Sequence, residues 1–141
     1  MLNTDSPYRW NQIKANSGLV GTVQDRVVVF GPENFYFQVV GNDTYELFSD
    51  SQPGSVQASL DNRIIVEDVI TPQVWVITPY EGGAYYTIRN QDNGLAWTDG
   101  GGSPGPNHQL YLNAFDPNNI PPAQRFTFNR VGVMGGNIQR R

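Results

Sequence analysis

The sequence predicts an all-β protein that forms a closed, three-fold symmetric barrel with a cap of hairpins. Three observations support this prediction. Apolar residues come in short alternating or continuous runs and almost never at helical spacing. Fifteen glycines and ten prolines interrupt these runs along the chain. Similar groups of four strands recur at a period of about 40 and then about 50 residues, as in repeat architectures.

Twelve runs have the composition and length of β-strands, and each is bounded by Gly, Pro, Asn or Asp. They are residues 8–13, 19–22, 26–30, 35–40, 44–48, 56–60, 63–69, 74–78, 85–90, 96–98, 109–115 and 125–130. Runs such as 27–30 are continuously apolar, whereas 44–48 and 125–130 alternate between apolar and polar residues. Alternation is typical of strands with one buried face, and continuous runs of strands buried on both faces.

The twelve strands divide into three groups of four that resemble one another. The approximate repeats are residues 8–41, 42–82 and 83–131, followed by a Gly-rich tail at 132–141. Matching positions are the aromatic residues that open the fourth strands, the residues that open the third strands, and a tyrosine in each first strand. In that order they are Phe35, Trp75 and Phe126; Arg26, Arg63 and Gln109; and Tyr8, Tyr45 and Tyr85. We expect the recurring aromatics, together with Phe37 and Phe128, to fill the core.

Composition narrows the classes of function. The 141 residues suit one domain, and we expect a single domain over residues 1–141. No cysteine is present, which excludes disulfides, thiolate metal sites and cysteine nucleophiles. The single histidine, His108, disfavours histidine-based metal sites. A net charge of −4 is the wrong sign for binding phosphate backbones. We therefore expect no cofactor, no metal and no nucleic-acid partner.

The chain shows no targeting or membrane-spanning segment. Residues 1–7 are polar and do not form a basic and apolar signal segment. The longest apolar run, residues 27–30, is far too short to cross a bilayer. We expect a cytoplasmic protein or one exported by an unconventional route, without membrane insertion.

A glutamine two residues before an aromatic residue recurs at the end of the repeats. Gln73-Val74-Trp75 is a full Gln-x-Trp match, and Gln124 with Phe126 and Glu33 with Phe35 are altered copies. In this order the motifs resemble those of the β-trefoil lectins of the ricin B-chain type. The resemblance implies three repeats of four strands and a carbohydrate-binding role.

A second resemblance is to the small β-trefoil proteins of mushrooms. It covers residues 63–88 and the segment 119–128. That group includes serine protease inhibitors, and other mushroom trefoils are lectin-like, among them the light subunit of mushroom tyrosinase and a related mannose-binding protein. The resemblance therefore implies a mono- or oligosaccharide ligand, with mannose as the candidate sugar, or a protein partner such as a protease or a larger enzyme subunit. One fold hosts both activities, so the fold alone does not choose between them.

The ricin-type pattern places a candidate sugar site in the third repeat. Carried onto this chain, the pattern assigns Thr98 to the hydroxyl-binding position and Gln109 to the supporting position. It assigns Tyr111 to the stacking position and Gln124 to the closing position. Two positions depart from the family, since Thr98 replaces an aspartate and Ala123 replaces an asparagine. A Gly-rich loop at 100–108 adds polar residues that converge on the same region in this interpretation. The full candidate set is Thr98, Asp99, Asn107, His108, Gln109, Tyr111 and Gln124. The alternative is a solvated turn with Tyr111 packed beneath it.

A protease-inhibitor interpretation uses the first repeat. There Asp25 and Arg26 end a short connection at 21–26, and Arg26 suits a trypsin-like pocket. The matching Arg63 argues instead for a structural role. An accessory role, in which a trefoil face binds a larger enzyme or another protein, stays open as well.

We expect no enzymatic activity. No nucleophile motif frames Ser103, the serine nearest to His108 in that loop. Glu67 and Asp68 are neighbours in a predicted strand, so their carboxylates point to opposite faces and cannot act as a glycosidase pair.

Overall fold

The computed structural model describes residues 10–29, 31–100 and 108–131. Strands dominate, with two short 3-10 turns at Glu81–Gly83 and Pro122–Gln124. The strands are Trp10–Ala15 (β1), Gly18–Leu19 (β2), Gly21–Val23 (β3), Arg26–Val29 (β4), Asn34–Gly41 (β5), Thr44–Ser49 (β6), Ser55–Ala58 (β7), Ile64–Glu67 (β8), Trp75–Tyr80 (β9), Tyr85–Asn90 (β10), Ala96–Asp99 (β11), His108–Asn113 (β12) and Thr127–Val131 (β13). No helix in these ranges is long and apolar enough to span a membrane.

Each of the twelve predicted strands has a counterpart, and one of them is divided. The run predicted at 19–22 forms β2 and β3, which are separated at Val20. Val20 is fully buried and its amide donates to the Ile13 carbonyl at 2.8 Å, so it belongs to the core without continuing either strand. Tyr8 and Phe30, at the ends of two predicted strands, lie outside the described residues.

Six strands form a closed barrel. Around the ring β13 pairs with β1, β1 with β5, β5 with β6, β6 with β9 and β9 with β10. A bridge between Tyr86 of β10 and Phe126, just before β13, closes the ring. Closure leaves these six strands without an exposed hydrogen-bonding edge.

Six of the other seven strands form a cap of three hairpins, and the seventh, β2, pairs with β1. The hairpins are β3–β4, β7–β8 and β11–β12, one in each predicted repeat. Their second strands meet at the centre, where Arg26 pairs with Ile65, Gln109 with Val28, and Arg63 with Tyr111. A six-stranded barrel with three cap hairpins is the β-trefoil fold, which confirms the predicted fold class.

The recurring aromatics fill the core as predicted. Phe35, Trp75 and Phe126 have no solvent exposure, and Phe37 and Phe128 are also buried. Trp75 and Phe126 each contact Trp97 edge to face, and Phe37 contacts Phe128 in the same way. Those ring centroids lie 5.6 Å apart for Trp75–Trp97, 5.8 Å for Trp97–Phe126 and 5.4 Å for Phe37–Phe128. Such geometry stabilises aromatic pairs beyond the area that they bury.

The predicted match between Tyr45 and Tyr85 is wrong by one residue. Tyr45 lies opposite Trp75, and Tyr86 lies opposite Phe126, so Tyr86 is the equivalent of Tyr45. Neighbouring residues in a strand point to opposite faces, so this shift of one residue turns Tyr85 outward. There its ring stacks on Tyr80, with centroids 5.6 Å apart and planes 9° apart.

Candidate functional site

The Gln-x-Trp motif is a structural tie between repeats. The side-chain oxygen of Gln73 accepts from the Ala58 amide at 2.8 Å and from the Asn90 side chain at 3.3 Å. The indole of Trp75 donates to the Val56 carbonyl at 2.9 Å. The motif thus joins its own second strand to the first strand of the next repeat.

Glu33 makes the same tie in the first repeat. Its carboxylate accepts from Thr22 at 2.7 Å, from Ser51 at 2.9 Å and from Ser49. Ser49 is the last residue of β6, and Asn90 is the last residue of β10. Each of these side chains hydrogen-bonds the Glu or Gln that closes the preceding repeat.

Gln124 differs from its two equivalents. The strand end that faces it by symmetry is Ala15, which offers no polar side chain. Its amide nitrogen instead donates to Thr98 Oγ1 at 3.1 Å and to the Ala114 carbonyl at 2.9 Å. Gln124 and Thr98, two predicted site residues, are therefore in contact, and both are buried.

Asp99 is a buried clamp. One carboxylate oxygen accepts from the Ser17 amide at 2.7 Å and from the Ser17 hydroxyl at 2.6 Å. The other lies 2.8 Å from Nε2 of His108, and Asp99 has no solvent exposure. The carboxylate stands between the serine and the histidine, so this His108 contact does not activate Ser17 as a nucleophile. Asp99 ties the β1–β2 turn to the third hairpin.

Gln109 points to the centre of the cap. Its amide nitrogen lies 2.9 Å from each of three backbone carbonyls, those of Val27, Ile64 and Leu110. The three carbonyls come from three different repeats, so Gln109 joins all three hairpins. Tyr111, the predicted stacking residue, is 42% exposed and lies beside Arg63.

The predicted sugar site is thus distributed over several places. The structure brings together Thr98 with Gln124, and Asp99 with His108, while Gln109 serves the cap centre. Asn107 and most of the Gly-rich loop lie outside the described residues.

The predicted inhibitory residue lies in a strand. Arg26 belongs to β4, where it pairs with Val23 on one side and Ile65 on the other, and it is half-buried. The connection expected at 21–26 is a tight hairpin whose exposed tip is Gln24 and Asp25. Arg26 therefore lies in a strand directly after this exposed tip.

A pocket of about 320 Å³ opens in the third repeat beside Gln124. Its lining combines apolar, acidic and amide side chains. These residues are Ala114, Phe115, Asp116, Asn119, Pro121 and Gln124. Of these residues, the sequence analysis identified only Gln124. The connection between β12 and Gln124 shows no regular alternation of apolar and polar residues, so its pattern did not indicate a site. The turn-forming run Asp116 to Asn119 was the available signal.

Local hydrogen bonds fix this connection. The Asp116 side chain accepts from the Asn118 amide at 2.9 Å, and the Asp116 carbonyl accepts from the Asn119 amide at 3.0 Å. The Arg89 guanidinium lies over the Phe115 ring, 5.2 Å from its centroid. One face of Phe115 is thereby covered, and the ring also lines the pocket.

The pocket offers an aromatic surface next to hydrogen-bonding groups. The Asp116 carboxylate accepts hydrogen bonds, and the Asn119 amide both donates and accepts.

Among residues 10–29, 31–100 and 108–131 there is no group of three His, Asp or Glu placed to hold a metal ion.

Two comparisons with known proteins find no match for this chain. No protein-family model matches this chain. A search of curated proteins also finds no match.

Solved structures share the architecture at low sequence identity. A proteinase inhibitor from Coprinopsis cinerea superposes with a TM-score of 0.72 and 12% identity, over 90% of this chain and all of the other. The designed three-fold symmetric protein ThreeFoil has a TM-score of 0.72 and 13% identity, over 86% of this chain and 99% of the design. At such identities the likeness establishes the β-trefoil fold alone.

A mosquitocidal holotoxin shares the fold over part of its length. The TM-score is 0.70 at 16% identity, and the match covers 88% of this chain but 17% of the toxin. The chain is therefore a β-trefoil protein whose fold neighbours include a free-standing inhibitor and one region of a large toxin.

Proposed function

We propose that the protein is a non-enzymatic carbohydrate-binding protein whose site is the third-repeat pocket. The observation that carries this proposal is the placement of Phe115, Asp116, Asn119 and Gln124 around one opening of about 320 Å³. Sugars are recognised by a flat apolar surface against their C–H face and by fixed polar groups around their hydroxyls. This pocket combines both kinds of surface.

Phe115 supplies the apolar surface in this proposal. Arg89 covers one face of the ring and holds its orientation, so a sugar stacks on the pocket side. A ring that is already held in place loses little freedom on binding, which favours affinity.

Asp116 and Asn119 supply the hydrogen bonds to hydroxyl groups. Both residues are exposed and are fixed by the turn that they form. Thr98 and Gln124 form the support beneath, because their mutual hydrogen bond and the Gln124 bond to Ala114 hold the pocket wall. Asp99, which follows Thr98 in β11, pairs with His108 outside the pocket lining.

A glycan array that includes mannose oligosaccharides tests the proposal. We expect binding by the wild-type protein and at least a ten-fold loss in Phe115→Ala and in Asp116→Ala, since each removes one recognition element. Asp92→Ala is the matched control, because Asp92 is an exposed aspartate of the same repeat outside the pocket. An array without binding, or binding that is unchanged in both pocket variants, would reject the proposal.

Protease inhibition is the alternative function and needs no pocket. The half-buried strand position of Arg26 offers it less support than the pocket gives to sugar binding. A trypsin assay on the same preparation separates the two, with Arg26→Glu as the diagnostic variant. Inhibition that disappears in Arg26→Glu would favour the inhibitor. An accessory protein-binding role predicts silence in both assays.

A further inference from the structure

We propose that the Leu60 turn, residues 59–63 between β7 and β8, forms with the neighbouring Tyr111 a self-association surface that binds the same surface of a second copy of this chain. The proposal rests on the geometry, exposure and charge of this turn. It does not depend on the sugar site.

The turn is held rigidly in one conformation. The Asn62 amide donates to the Ser59 carbonyl at 3.0 Å, and the Ser59 amide donates to the Arg63 carbonyl at 2.8 Å. Asn62 has a φ of 64°, so the turn is a tight β-turn followed by one left-handed residue, a common three-residue hairpin loop. The Leu112 amide also donates to the Asn62 carbonyl at 2.8 Å and anchors the turn to β12.

Leu60 stands at the tip of this rigid support. Its relative exposure is 107%, so it makes almost no contact with its own chain. A leucine in this position is unfavourable in water, and burying it against an apolar surface removes that penalty. Because the backbone is already ordered, association costs little conformational entropy there.

The surroundings of Leu60 are complementary to themselves. Tyr111 lies directly opposite Arg63 across neighbouring strands and is 42% exposed. Arg63 pairs with Asp61 at 3.0 Å, with side-chain exposures of 40% and 65%. In the dimer that we propose, a two-fold axis passes beside the turn, so that Leu60 of one copy packs against Tyr111 of the other and Arg63 of one copy pairs with Asp61 of the other. Isologous interfaces require this kind of match.

The charges favour a second copy over a strongly charged partner. Asp61 and Arg63 cancel each other within the turn, so the surface does not attract a polyanion or a polycation. Tyr and Arg are also the residue types enriched at interface hot spots. The face is small, which predicts a reversible dimer that depends on protein concentration. If the proposed sugar site operates, a dimer carries two such sites and gains avidity.

Sedimentation-velocity ultracentrifugation over a concentration series tests the proposal. We expect the wild-type protein to dimerise and Leu60→Asp to weaken the dimer by about 30-fold, the size of a hot-spot loss. Ile70→Asp is the matched control, because Ile70 is an aliphatic residue with 101% exposure on a different loop. We expect it to dimerise like the wild type.

A cysteine variant gives a second readout that does not depend on lowering the affinity of the dimer. The chain has no cysteine, so Leu60→Cys introduces one thiol. Under mild oxidation we expect a covalent dimer from Leu60→Cys and monomer from Ile70→Cys. A wild-type protein that stays monomeric at all concentrations would overturn the proposal and leave the turn to a different protein. Dimerisation that is unaffected by Leu60→Asp would overturn it as well. Neither readout involves a sugar, so failure here leaves the sugar site untouched.

Discussion

Gln109 breaks the symmetry of the cap at its centre. The equivalent positions hold Arg26 and Arg63, whereas the shorter Gln109 side chain places its amide nitrogen beside three carbonyls from three repeats. Sequence comparison placed Gln109 in the sugar site because ricin-type repeats have a glutamine there. Its neighbours from the other two repeats, which give it a structural role, are 82 and 45 residues away in the chain. The match of one motif within one repeat does not reveal such contacts.

Replacing Gln109 with leucine tests this structural role. We expect Gln109→Leu to lower the free energy of unfolding by about 3 kcal/mol, because buried carbonyls lose their donor. Urea denaturation measures the effect. Gln91→Leu, at an exposed position, is the control and should change stability little. Equal stability of Gln109→Leu and the wild type would contradict the assigned role.

Asp99 provides a second test at the residue scale. We expect Asp99→Ala to cost about 2 kcal/mol of stability, because the Ser17 and His108 partners lose a buried acceptor. The variant should keep its affinity for sugar at temperatures where it is folded. Thermal unfolding followed by glycan binding on the folded protein measures both. Full stability combined with lost binding would return Asp99 to the sugar site itself.

At the scale of elements, the closing motifs explain how the repeats join. Gln73 holds the Ala58 amide and the Asn90 side chain, and Glu33 holds three hydroxyls. These ties were predictable in kind from the sequence, since a Gln or Glu recurs at each repeat end. Their partners were not predictable, because they lie in other strands.

Loss of one tie should be measurable. We expect Gln73→Ala to destabilise the protein by about 2 kcal/mol, since the Ala58 amide loses its acceptor and Asn90 its partner. Chemical denaturation provides the value, and Gln91→Ala, an exposed glutamine in the next turn, is the control. A difference below about 0.5 kcal/mol between the two variants, the range of ordinary surface substitutions, would refute the tie.

We expect Tyr45 to make the stability of the barrel depend on alkaline pH. Burial, and secondarily the negative charge of Asp43, raises the pKa of the Tyr45 phenol above its ordinary value of 10.0. A folded-state pKa that is raised contributes stability below the unfolded pKa, and this contribution is lost as the pH rises through the folded value.

Tyr45→Phe removes the ionisable phenol from this position. We therefore expect the stability of the wild type to fall more steeply above pH 10 than that of Tyr45→Phe, as measured by thermal unfolding across pH 8 to about pH 11. Parallel pH profiles would show that Tyr45 does not titrate in a buried site.

At the scale of the whole molecule, the candidate function lies where the three-fold repetition fails. Strand positions, the aromatic core and the β-trefoil architecture were predictable, because alternation and repeat period record which residues face the core. The pocket at 114–124 was not predictable. That connection follows neither the alternation of a strand nor the period of the repeats, and its residues meet only after the chain folds back. Gln124 belongs to both descriptions, as the closing residue of a repeat and as a pocket wall.

The most direct test of the proposed site is an amide chemical-shift titration of the ¹⁵N-labelled protein with the best glycan from the array, starting with a mannose oligosaccharide. The account predicts saturable shifts that are concentrated in residues 114–124 and include the side-chain amides of Asn119 and Gln124. Saturable shifts concentrated elsewhere, or no shifts with any glycan that binds on the array, would contradict it.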